Sequence, residues 1–163
     1  MKIGVISDTH IPISAASLPQ GVYKYFKDCD LIIHAGDCVD AGVLDELNRI
    51  AETKAVSGNM DSPEVKSAYP RKLILRAGSR KIGVTHGSGS AKNVLQRVKQ
   101  VFKDDDLDII IFGHSHNPVK KTLGGTLYFN PGSATDTLFS PYRSLGIIEI
   151  KGDSVSASIV RLD

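Results

Sequence analysis

Short apolar runs alternate with segments of helical spacing through the first third of the chain. Apolar runs at 2–7, 30–34 and 53–57 are typical of buried strands, because a strand covered on both faces needs few polar positions. Between them, 18–27 and 43–51 carry apolar residues three or four positions apart, which predicts two amphipathic helices. This βαβαβ order favours a parallel sheet with crossover helices.

The rest of the chain has a different pattern, in which pairs of strands are separated by short turns that contain glycine. Such spacing predicts three β-hairpins, interrupted by an amphipathic helix and an isoleucine-rich strand. The expected elements are strands at 72–76 and 81–85, a helix at 91–102, a strand at 108–112, and strand pairs at 119–123 with 126–129 and 144–150 with 154–162. We therefore predict an α/β fold with two sheets, the early one largely parallel and the late one largely antiparallel.

Composition narrows the class of protein. With 163 residues, the chain is long enough for a single domain, 1–163, with a core of its own. Its 20 basic and 18 acidic residues give a net charge of +2, so we predict no clear nucleic-acid surface. Cys29 and Cys38 are too few for a disulfide framework and fit a reducing cytosol. Since we find neither a membrane-spanning apolar run nor a signal peptide, we expect a cytoplasmic protein with no membrane partner.

Four of the five histidines directly follow predicted strands, beside glycine or another small residue. The carboxyl ends of strands are where open α/β sheets bind ligands. Two carboxylates and one amide also follow strands, which gives a set of seven donors: Asp8, His10, Asp37, Asn59, His86, His114 and His116. These donor types suit divalent cations, and seven exceed what one tetrahedral ion needs. The set favours two cations that share a bridging carboxylate, an arrangement typical of phosphoryl transfer.

The order of these residues resembles that of the calcineurin-like metallophosphoesterases, in particular the small YfcE-type phosphodiesterases of bacteria and archaea. Five sequence blocks carry the resemblance: Asp8-Thr9-His10, Gly36-Asp37, Gly58-Asn59, His86-Gly87 and Gly113-His114-Ser115-His116. Each block follows a predicted strand, and an Asn-Pro-Gly-Ser segment at 130–133 comes after them. The resemblance implies a four-layer αββα sandwich, in which two mixed β-sheets pack face to face with helices outside.

The resemblance also implies a role for each donor. The donors would form two groups joined by Asp37, namely Asp8, His10 and His116 around one cation, and Asn59, His86 and His114 around the other. Asp37, Asn59 and His86 are the expected catalytic members of this set. Manganese is the expected metal, with nickel, iron or zinc as alternatives. A hydroxide that bridges the two ions would attack a small phosphodiester, whose charge is drawn by about two net positive charges in the pocket.

One position departs from the pattern of the larger members of the superfamily, which carry a histidine after the Gly-Asn pair. The residue here is Met60, whose thioether donates neither a proton nor a hydrogen bond. We therefore expect weak catalysis on poor leaving groups and a preference for activated diesters.

Other residues near the donors have more than one interpretation. His34 lies inside a predicted strand, and we expect it to be structural or to orient a ligand rather than to bind metal. Asp61 either orients a ligand histidine or caps the following helix. The 130–133 segment either contacts the site or simply forms a tight turn.

Two alternative functions use the same fold. A phosphomonoesterase that acts on a small phosphate or nucleotide would need the same pair of cations. The eukaryotic sorting protein Vps29 is similar in fold and acts chiefly as a protein-binding scaffold, which is free to lose metal ligands. The complete donor set here favours an enzyme. The resemblance also allows a homo-oligomer, a dimer or a tetramer, although no residue is assigned to an interface.

Overall fold

The computed structural model describes residues 1–162. Most of the predicted elements form close to their expected positions, with shorter helices. The elements are β1 (Lys2–Ile6), α1 (Gln20–Phe26), β2 (Leu31–His34), α2 (Gly42–Asn48), β3 (Thr53–Ala55), α3 (Pro63–Ala68), β4 (Lys72–Ala77), β5 (Arg80–Thr85), α4 (Val94–Val101), β6 (Ile109–Ile111), β7 (Val119–Leu123), β8 (Thr126–Asn130), β9 (Ser144–Lys151) and β10 (Ser154–Arg161).

The strands form two five-stranded sheets, ordered β10-β9-β1-β2-β3 and β4-β5-β6-β8-β7. Both sheets are mixed. In the first, β1, β2 and β3 are parallel while β9 and β10 are antiparallel. In the second, β5, β6 and β8 are parallel while β4 and β7 are antiparallel to their neighbours.

The division into an early parallel sheet and a late antiparallel sheet is therefore wrong. The last hairpin joins the early sheet, where Ile3 pairs with Ile148. The reason is that β1 is almost wholly buried, so the backbone groups on both of its edges need partners. The strand β2 supplies one edge and β9 the other, which the hydrophobic pattern of each strand alone does not show.

The buried core is divided among three clusters that define four layers. Apolar side chains of both sheets, such as Ile33 and Ile109, meet between the sheets. Phe26 and Leu47 of α1 and α2 cover the outer face of the first sheet. Val98 of α4 belongs to the cluster on the outer face of the second. The αββα sandwich implied by the resemblance is confirmed.

Helix α3 was not predicted from the hydrophobic pattern. It has six residues and buries only one of them, Val65, so it carries no periodic apolar face. Its start was nevertheless encoded, because Ser62 accepts a hydrogen bond from the Val65 amide and Pro63 occupies the first turn. None of the described helices, the longest of which has eight residues, has the length and apolar character to cross a membrane.

The two sheets meet at the edge where their parallel strands end. The loops after β1 and β2 continue side by side beyond the strands, because the Asp8 amide donates to the Gly36 carbonyl at 3.0 Å and the His10 amide to the Asp37 carbonyl at 3.0 Å. Across the sandwich, the Gly113 amide donates to the His86 carbonyl at 3.1 Å. This edge therefore brings loops from both sheets into contact.

Candidate metal centre

Most of the predicted donors occupy strained backbone positions at the ends of strands. Six non-glycine residues of the described chain have positive φ between 42° and 74°, and five of them are predicted donors: Asp8, His10, Asp37, His114 and His116. A left-handed backbone is unfavourable for residues with a Cβ and persists where the surrounding structure enforces it. Four of these five residues, Asp8, His10, Asp37 and His116, belong to the clusters of ligand atoms described next.

The first group of donors comes from the loops after β1 and β6. Asp8 Oδ1 lies 3.8 Å from His10 Nε2 and 3.3 Å from His116 Nε2. The two imidazole nitrogens are 3.3 Å apart, and all three residues are buried or nearly so. One oxygen and two nitrogens of this kind could hold a single divalent cation.

A second group shares atoms with the first. Asp37 Oδ2 lies 3.2 Å from His86 Nε2 and 3.7 Å from His10 Nε2, so one carboxylate oxygen faces histidines of both groups. Its other oxygen accepts a hydrogen bond from the Met60 amide at 2.7 Å, which fixes the carboxylate. His86 Nε2 is also 3.9 Å from Asp8 Oδ1. This position of Asp37 is the one expected of a bridging ligand.

The hydrogen bonds of these groups leave ligand atoms free. Asp8 Oδ2 accepts from the Ser7 hydroxyl at 2.6 Å and from the His114 amide at 3.0 Å, whereas Asp8 Oδ1 is buried with no partner. His86 Nδ1 donates to the Ala35 carbonyl at 2.8 Å, so Nε2, which is buried and makes no well-aligned hydrogen bond, is the nitrogen that would offer a lone pair to a cation once its proton is displaced. Unpaired buried polar atoms are costly, and a cation at this point would satisfy both.

The electrostatics of the site favour positive charge. Burial raises the pKa of Asp8, but the imidazoles of His10 and His116 beside it and the charge of His86 hold this pKa well below the usual range of a carboxyl. Burial lowers the pKa of His86, yet Asp37 and Asp8 raise it to about 9. Burial likewise lowers the pKa of His116, but the carboxylates of Asp8 and Asp136 raise it to about 9. The negative potential that holds protons on these imidazoles is also what binds cations.

His114 and Asn59 meet beside His86. His114 Nε2 lies 2.7 Å from the Gly89 carbonyl and Nδ1 lies 3.1 Å from Asn59 Oδ1. When Nε2 donates its hydrogen to the carbonyl, Nδ1 carries a lone pair that faces the oxygen of the amide. With this tautomer both atoms are hydrogen-bond acceptors, and a cation bound between them would be a partner for both. His114 does not belong to either carboxylate-centred group in this structure, although its ring lies 5.2 Å from that of His86.

His34 is wholly buried and lies outside both groups. Its Nδ1 accepts from the Gly36 amide at 3.2 Å, so Nε2 carries the hydrogen that it donates to the Thr9 hydroxyl at 3.0 Å. Burial lowers its pKa to about 4, which keeps the ring neutral. His34 thus supports the turn between Asp8 and His10 without offering a free nitrogen.

We expect His34→Gln to retain most of the activity because glutamine can still donate a hydrogen bond to Thr9. His116→Ala removes a nitrogen that faces Asp8 at 3.3 Å and should cost far more, about a hundredfold in kcat/KM or above. Steady-state rates of the two variants on one diester make the comparison. Equal losses would show that His34 acts as a ligand.

Asp61 serves neither of the two roles considered for it. Its carboxylate accepts from the backbone amides of Gly58 at 2.6 Å, Val39 at 2.7 Å and Asp37 at 3.1 Å. The helix that follows is capped by Ser62 instead. Burial raises the pKa of Asp61, but the hydrogen bonds from the Gly58 and Val39 amides lower it by more, so the net shift is downward. Asp61 therefore orients the backbone of the Asp37 turn rather than a histidine.

Asp136 is a member of the site that sequence reasoning missed. Its Oδ2 accepts a hydrogen bond from His116 Nδ1, and Oδ1 accepts from the Leu138 amide at 2.8 Å. Burial raises the pKa of this carboxyl, but its contact with His116 brings it below the ordinary value. A carboxylate behind a ligand histidine fixes the ring and leaves the other nitrogen free. In the sequence, only its position shortly after the 130–133 segment points to Asp136, and no known motif spacing predicts that it contacts a ligand histidine.

Replacement of Asp136 by asparagine keeps the shape of the side chain and removes its charge. We expect a ten- to hundredfold loss of manganese affinity, roughly the effect of losing such a partner. Calorimetric titration of the metal-free protein measures it. An affinity equal to that of the unmodified protein would show that Asp136 does not orient His116.

The 130–133 segment does contact the site. Ser133 Oγ donates to the Asp8 carbonyl at 2.7 Å, and Asn130 Nδ2 donates to the Gly113 carbonyl at 2.9 Å. Asn130 Oδ1 also accepts from the Gly132 amide at 2.8 Å, which closes a tight turn. The segment therefore fulfils both interpretations, because its turn ties the two donor loops together.

Comparison with known proteins agrees with this geometry. Residues 1–153 match the model of the calcineurin-like phosphoesterase superfamily domain. A probable metallophosphoesterase of Methanothermobacter thermautotrophicus is 36% identical over 162 residues, which cover 99% of this chain and 92% of that protein. A phosphodiesterase of Methanocaldococcus jannaschii is 27% identical over 91% of this chain and 93% of its own. The crystal structure of wild-type Vps29 from Entamoeba histolytica, complexed with Zn²⁺, matches at 25% identity and a TM-score of 0.78 over 99% of both chains.

The family match spans almost the whole chain, and the five sequence blocks that suggested the family converge at one edge of the sandwich. The chain belongs to the calcineurin-like phosphoesterase superfamily and is a metal-dependent phosphoesterase.

Proposed function

We propose that the protein is a phosphodiesterase that hydrolyses a small phosphodiester with the help of two divalent cations. The observation that carries the proposal is the convergence of three buried ligand atoms: Asp37 Oδ2 lies 3.2 Å and Asp8 Oδ1 3.9 Å from His86 Nε2. A purely structural cluster would join these atoms by well-aligned hydrogen bonds, which neither Asp8 Oδ1 nor His86 Nε2 makes.

Each cation would have its own donors and share Asp37. One would be held by Asp8, His10 and His116, whose ligand atoms lie within 4.8 Å of one another. The other would be held by Asn59, His86 and His114, as the 3.1 Å distance between His114 Nδ1 and Asn59 Oδ1 supports. When bound, such cations supply a hydroxide nucleophile near neutral pH and neutralise charge on the phosphoryl oxygens.

The residues of the chain set the geometry for this chemistry. Asp37, oriented through the Met60 amide and by Asp61, keeps one oxygen between the two groups of donors. Asp8 and Asp37 bring only two negative charges against four from two divalent ions, so the site retains about two positive charges for a phosphate anion. Asp37 and His86 are proposed as catalytic residues because they lie where the two groups meet, and Asn59 is proposed with them because of its place in the Gly58-Asn59 block and its contact with His114.

The proposed metal is manganese. The donors are imidazole nitrogens with carboxylate and amide oxygens, a mixture that also accommodates nickel, iron and zinc. The zinc complex of the similar Vps29 supports a divalent ion of this size class. The two cysteines are both buried free thiols, which agrees with the proposed cytoplasmic location. That the protein forms a dimer or a tetramer stays a prediction from the family resemblance.

Hydrolysis of bis-p-nitrophenyl phosphate after chelation tests the proposed function. We expect no turnover by the chelated protein and recovery on addition of manganese, with nickel, iron and zinc compared at the same concentration. The absence of turnover with every metal would overturn the proposed diesterase activity.

Met60 limits the range of substrates that we expect. Its side chain is 50% exposed at the site and has no proton to donate to a leaving oxygen. We expect Met60→His to raise kcat about tenfold or more on thymidylyl-(3′→5′)-thymidine, a dialkyl diester whose leaving groups are both poor alkoxides, with little change on bis-p-nitrophenyl phosphate. Release of thymidine measures the first reaction and release of p-nitrophenol the second. No gain on the poor leaving group would contradict this role of position 60.

A scaffold of the Vps29 type and a phosphomonoesterase are the alternatives. The complete set of donors favours an enzyme over a scaffold, since each of the seven positions carries a residue that can bind a metal ion. Comparison of rates on p-nitrophenyl phosphate and its diester separates the two esterase activities. A rate at least tenfold higher on the monoester would favour the phosphomonoesterase.

A further inference from the structure

A cleft of about 460 Å³ extends from the metal centre between the loop that carries Asn59 and helix α4. The donors Asn59 and His86 are among the residues that line it. Four basic side chains line the rest of it: Lys66, Arg71, Lys72 and Arg97. We call this region the basic cleft. The lining contains no aspartate or glutamate, although the whole chain has nearly equal numbers of basic and acidic residues.

Two of the four basic groups already have partners. Lys66 Nζ donates to the Asn59 carbonyl at 2.8 Å, and Lys72 Nζ forms an ion pair with Asp105 at 2.5 Å. Arg71 and Arg97 have neither an ion pair nor a side-chain hydrogen bond to any of residues 1–162. Two guanidinium groups with no carboxylate partner in one concave site are suited to bind an anion.

Packing joins Arg97 to the metal centre. A Cβ at Gly89 would overlap the Arg97 side chain, so the arginine packs directly against this loop. The Gly89 carbonyl in turn contacts His114 at 2.7 Å. Arg71 also lines the cleft, directly before β4, where its carbonyl accepts from the Thr85 hydroxyl at 3.0 Å. The basic cleft therefore continues from the donors themselves and is not a separate depression.

The size of the cleft limits what it can bind. About 460 Å³ lies within the range of small-molecule sites, roughly 300–1,000 Å³. A long nucleic acid would require a basic track that extends across the surface, and a chain with a net charge of +2 provides little general attraction. A compact ligand with more than one anionic group fits both the volume and the charge.

We propose that the basic cleft binds a second phosphate group of the substrate, through Arg71 and Arg97. The natural substrate is then a small phosphodiester in which one alcohol component carries a further phosphate. The scissile diester lies at the metal centre, and the second phosphate lies outward along the cleft. This inference rests on the proposed phosphodiesterase function, because it deepens the choice of substrate at that same site.

The test compares two chromogenic diesters that differ by one phosphate. Thymidine 5′-p-nitrophenyl phosphate has only the scissile group, and its 3′-phosphorylated form has a second phosphate. We expect kcat/KM to be at least tenfold higher for the 3′-phosphorylated form, mainly through KM. The ratio of the two values is the readout because it cancels any general loss of activity in a variant.

Two double variants complete the design. Arg71→Gln with Arg97→Gln should reduce the preference ratio to less than threefold. Lys120→Gln with Lys121→Gln removes the same charge from two exposed positions of β7 outside the basic cleft and should leave the ratio unchanged. A ratio near one in the unmodified protein, or an unchanged ratio in the arginine variant, would overturn the inference.

A binding measurement tests the second-phosphate site independently of the proposed phosphodiesterase activity. Calorimetry on the manganese-loaded protein should show at least tenfold tighter binding of thymidine 3′,5′-bisphosphate than of thymidine 5′-phosphate, with the difference lost in the arginine variant. If bis-p-nitrophenyl phosphate is hydrolysed but this difference is absent, only the inference fails. If that diester is not hydrolysed, the proposed function fails, and the binding difference alone decides whether the cleft recognises a second phosphate. Tighter binding of a long oligothymidylate than of the bisphosphate would contradict a small substrate.

Discussion

Replacement of Asp37 by alanine is expected to abolish hydrolysis, with a loss of about a thousandfold or more in kcat/KM. Asp37 Oδ2 is the oxygen that faces histidines of both donor groups, at 3.2 Å from His86 and 3.7 Å from His10. Its loss removes a ligand from each proposed cation at once, whereas the loss of a histidine weakens only one group. Steady-state hydrolysis of bis-p-nitrophenyl phosphate with manganese measures the effect.

A stability measurement shows whether the loss follows from metal binding. Manganese should raise the melting temperature of the unmodified protein and have little effect on the Asp37→Ala variant, because a cation that binds only the folded state stabilises it. Asp40→Ala makes the same chemical change at an exposed position of the same loop and serves as the matched control. Activity retained by Asp37→Ala, or lost equally in Asp40→Ala, would contradict the bridging role.

Asp61→Ala is expected to have the largest effect on stability. The change leaves three backbone amides, those of Asp37, Val39 and Gly58, without their carboxylate partner. An unsatisfied buried donor costs about 1–3 kcal/mol, so the free energy of unfolding should fall by about 3 kcal/mol or more. Urea unfolding in the presence of a chelator measures this loss without any contribution from bound metal.

Ser62→Ala provides the neighbouring control. Ser62 caps helix α3 through its hydrogen bond with the Val65 amide at 3.3 Å, and the loss of such a cap costs about 1 kcal/mol. If Asp61 acted only at the helix terminus, the two variants would lose similar stability. A loss below about 1 kcal/mol for Asp61→Ala would show that its three hydrogen bonds do not stabilise the Asp37 turn.

The donors could be predicted from the sequence because each follows a strand whose apolar run is easily recognised. Asp8 and Asp37 come two or three residues after β1 and β2, and parallel strands necessarily end at the same edge. The resemblance then assigned them to two groups, and the structure places Asp37 between these groups. His34 differs from the other histidines because it lies within β2 and is fully buried, and that it binds no metal stays a prediction.

Other features depend on contacts that no local pattern encodes. Asp136 reaches His116 across 20 positions of sequence, and nothing in its immediate neighbours marks that pairing. The basic cleft combines Arg71, directly before β4, with Arg97 of α4, and these residues are far apart in the sequence. The net charge of +2 gives no indication that they lie in one cleft. The partner of β9 was mistaken because the pairing of strands far apart in sequence is decided by which buried edge lacks a partner.

Titration of the metal-free protein with manganese is the most direct test of a two-cation phosphodiesterase. Bound manganese and the rate of bis-p-nitrophenyl phosphate hydrolysis are measured in the same samples. The account predicts two ions per chain at saturation, with most of the activity gained on binding of the second ion. Saturation at one ion with full activity, or two bound ions without hydrolysis, would contradict it.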